Sequence, residues 1–125
     1  MVKVEAGINK SLNEVWDFFL NPGNWGKWWP RGIKKIIPGW EEDAVIYWSD
    51  GSECNVWSIT PKKIVQFNTQ WMRTTFKFNA ADEGMIMQIK LDARWEKGFS
   101  GRGIAERTEL AGALSKFKDY VEKGK

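Results

Sequence analysis

Two different spacings of hydrophobic residues divide the chain into strands and helices. Residues 2–8 alternate between apolar side chains and polar residues or glycine, which is the two-residue period of a half-buried strand. The same alternation runs through residues 85–95, the clearest strand of the sequence. Short turns at residues 50–51 and 82–84 join neighbouring apolar segments, so we expect antiparallel pairing. The remaining predicted strands cover residues 33–37, 44–48, 54–59, 64–71 and 74–79.

The carboxy-terminal segment has a helical spacing instead. Over residues 101–123, apolar side chains recur every three or four positions. The predicted buried face consists of Ile104, Thr108, Ala111, Leu114, Phe117, Lys118 and Val121. About 20 residues at 1.5 Å per residue make a rod of roughly 30 Å. Because a helix with such a wide apolar stripe is not stable alone in water, we expect a sheet to curl around it.

Two short helices are predicted directly after the first strand. Ser11 and Glu14 have the spacing of a capping box, in which the serine caps the helix and the glutamate reaches back to it. The apolar residues behind them continue a helix to about Leu20, where residues 21–23 (Asn-Pro-Gly) end it. Residues 24–30 hold Trp25, Trp28 and Trp29 and are predicted to form one or two helical turns.

The order of elements predicts an α+β fold in a single domain, residues 1–125. It runs from one strand through two short helices to about six antiparallel strands and a long helix. A chain of 125 residues is long enough for one hydrophobic core. The sequence contains no repeat, linker or low-complexity segment.

The charge and cysteine content narrow the class of protein. The net charge is +3, and the lysines are scattered, which indicates a solvated surface rather than a nucleic-acid footprint. The single cysteine, Cys54, cannot form an internal disulfide, as is usual in a reducing compartment. No signal peptide and no membrane-spanning run is visible. We therefore expect a cytoplasmic protein with no nucleic-acid partner, either monomeric or weakly dimeric.

Two residue counts bear directly on chemistry. The chain has no histidine, which removes the commonest general base, the histidine-dependent nucleophiles and most zinc sites. It has nine tryptophans, and each indole buries a large apolar area while keeping one N–H that needs a partner. The interior is therefore either an aromatic core or an aromatic-lined cavity. No metal, cofactor or catalytic residue is indicated.

Several segments, taken in their order, resemble one superfamily across nearly the whole chain. They are Val15-Trp16 within residues 11–20, Asn21-Pro22, the tryptophans at 25, 28 and 29, the Asp50-Gly51 hairpin, and residues 56–61, 65–71 and 114–124. This order is similar to that of the helix-grip superfamily of START and birch-pollen-allergen-like domains, also called SRPBCC. The nearer match is the branch related to the activator of the heat-shock-protein ATPase.

The resemblance implies a curved sheet of about seven strands wrapped around the long helix, with an apolar cavity between them. It also implies that the cavity binds a hydrophobic small molecule such as a lipid, sterol, polyketide or aromatic compound. Two alternatives stay open, a cyclase or dehydratase-like enzyme and a co-chaperone-like domain that contacts a protein partner. The candidate cavity walls are Trp28, Trp57, Trp71, Phe76, Phe78, Met85, Met87, Ile89, Leu91, Leu110, Leu114 and Phe117.

The polar groups on the predicted strands do not form a catalytic set. Cys54 lacks a histidine partner, so a passive buried thiol is the favoured interpretation. Asn68, Gln70 and Gln88 are the other polar candidates on apolar strands. The alternation within residues 44–59 leaves open which of Tyr47, Trp48, Val56 and Trp57 face inward.

Overall fold

One antiparallel sheet and one long helix make up most of the fold. The computed structural model describes residues 2–29, 31–68, 72–93 and 103–123. The elements are β1 (Val2–Ile8), α1 (Leu12–Leu20), a 3-10 turn (Pro22–Asn24), α2 (Trp25–Trp28), β2 (Ile33–Ile37), β3 (Val45–Trp48), β4 (Glu53–Thr60), β5 (Ile64–Asn68), β6 (Met72–Ala80), β7 (Met85–Ala93) and α3 (Gly103–Glu122). The predicted α+β class and order of elements are confirmed.

The seven strands form a single curved sheet in the order β1-β7-β6-β5-β4-β3-β2, and every neighbouring pair is antiparallel. Tight turns connect β3 to β4 and β6 to β7, and each contains a glycine with positive φ, Gly51 and Gly84. β1 and β2 are the two edge strands, and the pairing of β2 with β3 shifts between Ile33 and Lys35. The inner face of the sheet carries the core.

Helix α1 begins and ends through specific hydrogen bonds. The Ser11 side chain accepts from the Glu14 N–H, and the Glu14 carboxylate accepts from Ser11 in return, so the predicted capping box is confirmed. At the other end the indole N–H of Trp25 donates to the Phe19 carbonyl at 2.7 Å, and that of Trp40 donates to the Leu20 carbonyl at 2.6 Å. Two carbonyls that a helix end leaves without a partner are therefore paired by tryptophans.

Helix α3 covers one side of the inner face, where it lies closest to β1 and α2. Its described buried residues are Leu110, Ala113, Leu114, Phe117 and Val121. The prediction that Thr108 and Ala111 belong to the buried face is wrong, since both are exposed. The buried Leu110 and Ala113 are separated from Leu114 and Phe117 by the same steps of three and four residues. Among the described side chains, the buried stripe therefore begins at Leu110 instead of Thr108.

The structure decides the orientation of the strands between residues 44 and 59. Ala44, Ile46, Trp48, Cys54 and Val56 are buried on the inner face, whereas Tyr47 pairs with the exposed Glu53 on the outer face. The pairing of β4 with β5 shifts between Val56 and Ser58. Trp57 follows the alternation of Cys54 and Val56 and points outward, and beyond the bulge Ile59 pairs with the buried Val65.

None of the helices in the described part of the chain is both long and apolar enough to cross a membrane. The same described residues contain no group of three or more cysteine, aspartate or glutamate side chains placed to hold a metal ion.

Candidate functional site

A group of aromatic side chains in mutual contact lies between the inner face of the sheet and the helices. We call this group the aromatic layer, and it comprises Phe19, Trp25, Trp28, Trp29, Trp48, Phe67 and Phe76. Trp25 lies at its centre, with ring centroids 4.7 Å from Trp28 and 5.8 Å from Trp48. Many of the contacts are edge-to-face, the geometry that aromatic quadrupoles prefer, and each stabilises by about 0.5–1.5 kcal/mol.

The aromatic layer touches α3 through one side chain in particular. The Phe117 ring is buried, and its centroid lies 4.7 Å from Trp28 of α2 and 5.2 Å from Phe18 of α1. The Asn9 N–H, just after β1, donates to the Glu122 carboxylate at 2.8 Å, so the end of α3 lies beside the end of β1. The helix therefore begins towards the opposite end of the sheet, where β3 ends at Trp48 and β5 at Asn68.

The structure brings most of the predicted wall residues together. Buried within or beside the aromatic layer are Trp28, Phe76, Phe78, Met85, Met87, Ile89, Leu110, Leu114 and Phe117, while Leu91 is half-buried on the same face. Trp71 lies outside the described residues. The prediction that Trp57 is a cavity wall is wrong, because its side chain is 48% exposed on the outer face. There the Arg73 guanidinium stacks on the Trp57 ring, 3.6 Å from its centroid, and Arg73 also donates to Asn68.

Sequence reasoning missed several members of the aromatic layer as wall residues, namely Phe19, Trp25, Trp29, Trp48 and Phe67. The signal for Phe67 was present, since it has the same strand parity as the buried Val65. Trp48 likewise shares parity with Ala44 and Ile46. For Trp25 and Trp29 no periodicity was available, because α2 is only one turn long.

Three tryptophans of the aromatic layer bury an indole N–H without an acceptor among the described residues. They are Trp28, Trp29 and Trp48. Each buried donor without a partner costs about 1–3 kcal/mol in lost solvation. Trp25 differs from them, because its N–H is paired with the Phe19 carbonyl. Among the described residues, the other polar side chains buried on the inner face are those of Thr74 and Cys54.

Cys54 is the one ionisable side chain among the described residues that is buried on the inner face. Burial raises the pKa of its thiol to about 11, and the Trp48 indole and the Arg31 charge oppose only part of that rise. The Trp48 N–H is near enough to affect the sulfur but does not reach hydrogen-bond geometry. The thiol is therefore protonated at neutral pH, which makes it a poor nucleophile.

The charged groups nearest to Trp48 are already paired with one another. The Arg31 guanidinium lies 5.0 Å from the Trp48 ring centroid and 3.5 Å from the Asp50 carboxylate, and it donates to the Ser52 hydroxyl. Hydrogen bonds from the Ser52 hydroxyl and N–H lower the pKa of Asp50, with a smaller contribution from Arg31. Asp50 and Ser52 lie on the β3–β4 turn, and Arg31 reaches them from the segment before β2.

The Cys54 thiol predicts a loss of stability at high pH. The folded protein keeps the thiol proton, whereas the unfolded chain releases it near pH 9. The contribution of the protonated thiol to the free energy of unfolding is therefore complete below pH 9 and is lost as the pH rises towards about 11. Urea denaturation of the wild type and of Cys54→Ala at pH 8 and pH 10.5 measures it. Between pH 8 and pH 10.5, we expect the free energy of unfolding of the wild type to fall by at most about 2 kcal/mol relative to that of Cys54→Ala. An unchanged difference would contradict burial of the thiol.

Two depressions lined by described residues both lie outside the aromatic layer. One of about 660 Å³ opens at the surface beside Leu12, Lys63 and Phe78. The other, of about 440 Å³, lies between α2 and α3 beside Lys27, Lys116 and Tyr120. Neither depression has a residue of the aromatic layer in its wall, so neither is the cavity between sheet and helix that the sequence resemblance implies.

Solved structures share this fold along nearly the whole chain. SSP2350 from Staphylococcus saprophyticus superposes with a TM-score of 0.82 at 16% identity, covering 98% of this chain and 92% of that protein. The Aha1 dimer from Colwellia psychrerythraea gives a TM-score of 0.76 at 17% identity, covering 99% and 97% of the two chains. DynU16, from the dynemicin biosynthetic locus, gives 0.80 at 13% identity, covering 99% of this chain and 48% of that one.

These comparisons place the chain in a structural class, that of helix-grip domains with a sheet gripping a carboxy-terminal helix. Within that class it has the fold of Aha1-like proteins, so the resemblance seen in the sequence is confirmed at the level of the fold. No family model and no curated protein matches the sequence.

Proposed function

We propose that the protein binds an apolar or aromatic small molecule between the inner face of the sheet and α3, within the aromatic layer. The observation that carries the proposal is the composition of this space. Among the described residues no charged side chain is buried, and Thr74 and Cys54 are the polar residues buried on the inner face. A binding site for a hydrophobic molecule has this character, with apolar and aromatic walls and few polar groups.

Because the rings contact one another, a ligand that lies among them replaces some ring–ring contacts with contacts of its own. An aromatic ligand can do this with little loss, since it offers the same edge-to-face and stacked geometries. Trp29 is the side chain of the layer through which entry is easiest. It is 9% exposed, whereas Trp25, Trp28 and Trp48 are at most 2% exposed.

The two alternatives from the sequence are less well supported. For an enzyme of the cyclase or dehydratase kind, Cys54 is the sole ionisable group facing the layer among the described residues, and its pKa of about 11 makes it a poor acid or base at neutral pH. For a co-chaperone-like interaction domain, the most exposed aromatic ring described is that of Trp57, and the Arg73 guanidinium already covers one of its faces.

Naphthalene is a suitable first probe, followed through the indole ¹H–¹⁵N signals of the nine tryptophans. We expect the signals of Trp25, Trp28, Trp29 and Trp48 to shift on titration, and that of Trp57 to stay in place. Trp29→Phe should weaken binding by about 5- to 10-fold, because the smaller ring removes apolar contact area. Trp57→Phe is the matched control on the outer face and should leave the affinity unchanged.

The proposal fails if no indole signal of the aromatic layer responds to naphthalene, decane or cholesterol. It also fails if the Trp57 signal alone moves, because the probe would then bind on the outer face. Native mass spectrometry of freshly purified protein gives an independent reading, in which a retained apolar molecule supports the proposal.

A further inference from the structure

The aromatic layer contains more hydrogen-bond donors than acceptors. The indole N–H groups of Trp28, Trp29 and Trp48 are buried without a partner among the described residues, and an indole can only donate. Native proteins pair the large majority of their buried polar side-chain atoms, so a cluster of unpaired donors needs a physical reason. A bound molecule that brings an acceptor into the layer supplies one.

Two of the three donors are on tryptophan side chains that contact each other. Trp28 and Trp29 are adjacent in sequence, their ring centroids are 5.3 Å apart, and both rings contact Phe76. Trp29 is also the least buried tryptophan of the layer. A molecule entering beside Trp29 therefore reaches this pair of N–H groups first. Trp48 lies further along the layer, next to the Cys54 thiol.

The charge of the acceptor follows from its surroundings. A buried carboxylate needs a cation or several strong donors to offset its desolvation. No positively charged residue is buried among the described residues, and Arg31, the cation at the Trp48 ring, is paired with Asp50 and Ser52. A ketone, aldehyde or ester carbonyl accepts hydrogen bonds from indole N–H groups without that cost.

We propose that the ligand of the aromatic layer is a neutral aromatic or apolar molecule with a carbonyl acceptor, which pairs with the indole N–H groups of Trp28 and Trp29. This inference rests on the proposed function, since it specifies the chemistry of the molecule bound at the same site. It adds that the site selects its ligand by a hydrogen-bond acceptor as well as by the apolar surface that the ligand buries.

Three probes of the same ring system test the inference, namely naphthalene, 2-acetylnaphthalene and 2-naphthoate at pH 7. We expect 2-acetylnaphthalene to bind about 10-fold more tightly than naphthalene, as one well-made hydrogen bond to a buried donor allows. We expect 2-naphthoate to bind no more tightly than naphthalene. The Hε1 signals of Trp28 and Trp29 should move downfield with 2-acetylnaphthalene and not with naphthalene.

The ratio of the two affinities separates hydrogen bonding from packing. Trp28→Phe and Trp29→Phe weaken both probes through lost contact area, but they should also bring the ratio of 2-acetylnaphthalene to naphthalene down towards 1. Trp40→Phe is the control, because its N–H is already paired with the Leu20 carbonyl and its removal should leave the ratio at about 10.

Each outcome distinguishes the two proposals. If none of the three probes binds, the proposed function itself is wrong. If naphthalene and 2-acetylnaphthalene bind equally, or if the ratio survives both tryptophan substitutions, the site binds apolar molecules but the inferred carbonyl contact is wrong. If 2-naphthoate binds most tightly, the acceptor is anionic and the neutral ligand is excluded.

Discussion

Replacing Gly84 by alanine is expected to destabilise the protein by about 2–5 kcal/mol, because two separate costs add at this position. Gly84 has φ +96, a backbone conformation that disfavours any side chain by about 1–2 kcal/mol. In addition, a Cβ there would overlap the Ile8 carbonyl oxygen and come within 3.2 Å of the Asn9 Cα. These are backbone atoms at the end of β1, so they cannot move aside as a side chain could, and such overpacking costs about 1–3 kcal/mol more.

Gly51→Ala is the matched control for this substitution. Gly51 has a similar φ of +90 in the β3–β4 turn, but nothing lies within 4 Å of its added Cβ. It should therefore show only the backbone cost, about 1–2 kcal/mol. Urea denaturation of both variants measures the difference. Equal losses would mean that the β6–β7 turn does not pack against the end of β1.

Phe117→Ala is expected to cost about 3–5 kcal/mol, as truncation of a fully buried phenylalanine generally does. Phe117 is the side chain through which α3 contacts Trp28 and Phe18, at centroid distances of 4.7 Å and 5.2 Å. Its loss leaves a cavity between the helix and the aromatic layer. Since small domains are stable by only about 5–15 kcal/mol in total, the variant should be close to unfolding at moderate urea concentrations.

Lys116→Ala, one position earlier on the exposed side of α3, should change stability by no more than about 0.5 kcal/mol. If Phe117→Ala folds, its indole spectrum provides a second readout, because the Trp28 signal should shift while that of Trp57 should not. A loss below 1 kcal/mol, with the Trp28 signal unmoved, would show that α3 does not pack on the aromatic layer.

Much of the fold could be predicted because its signals are local. The capping box at Ser11 and Glu14, the glycines of the tight turns and the alternation along β7 each act over a few residues, and all three agree with the structure. The face of α3 was harder to predict. A three- and four-residue spacing fits more than one stripe, and only packing against the rest of the core decides that Leu110 is buried and Thr108 exposed.

The candidate site depended on arrangements that no short segment encodes. Trp57 points outward because it continues the alternation of the buried Cys54 and Val56, whereas Ile59, which has the same parity as Trp57, pairs with the buried Val65 beyond a bulge. The sequence therefore offers two conflicting parities here, since bulges have no clear signature in a single sequence.

Whether an indole N–H is paired is likewise a tertiary property. The N–H groups of Trp25 and Trp40 donate to carbonyls at the end of α1. The N–H of Trp28, three residues after Trp25, has no acceptor among the described residues.

The position of β2 at the edge of the sheet has a consequence for how copies of the chain behave at high concentration. Among the described strands, β2 has a neighbour only on its β3 side, so its other side is a template for backbone pairing between molecules. The irregular pairing near Ile33, the charges of Lys34 and Lys35, and Pro38 directly after the strand all oppose such addition. These features protect the protein from growing into fibrous aggregates.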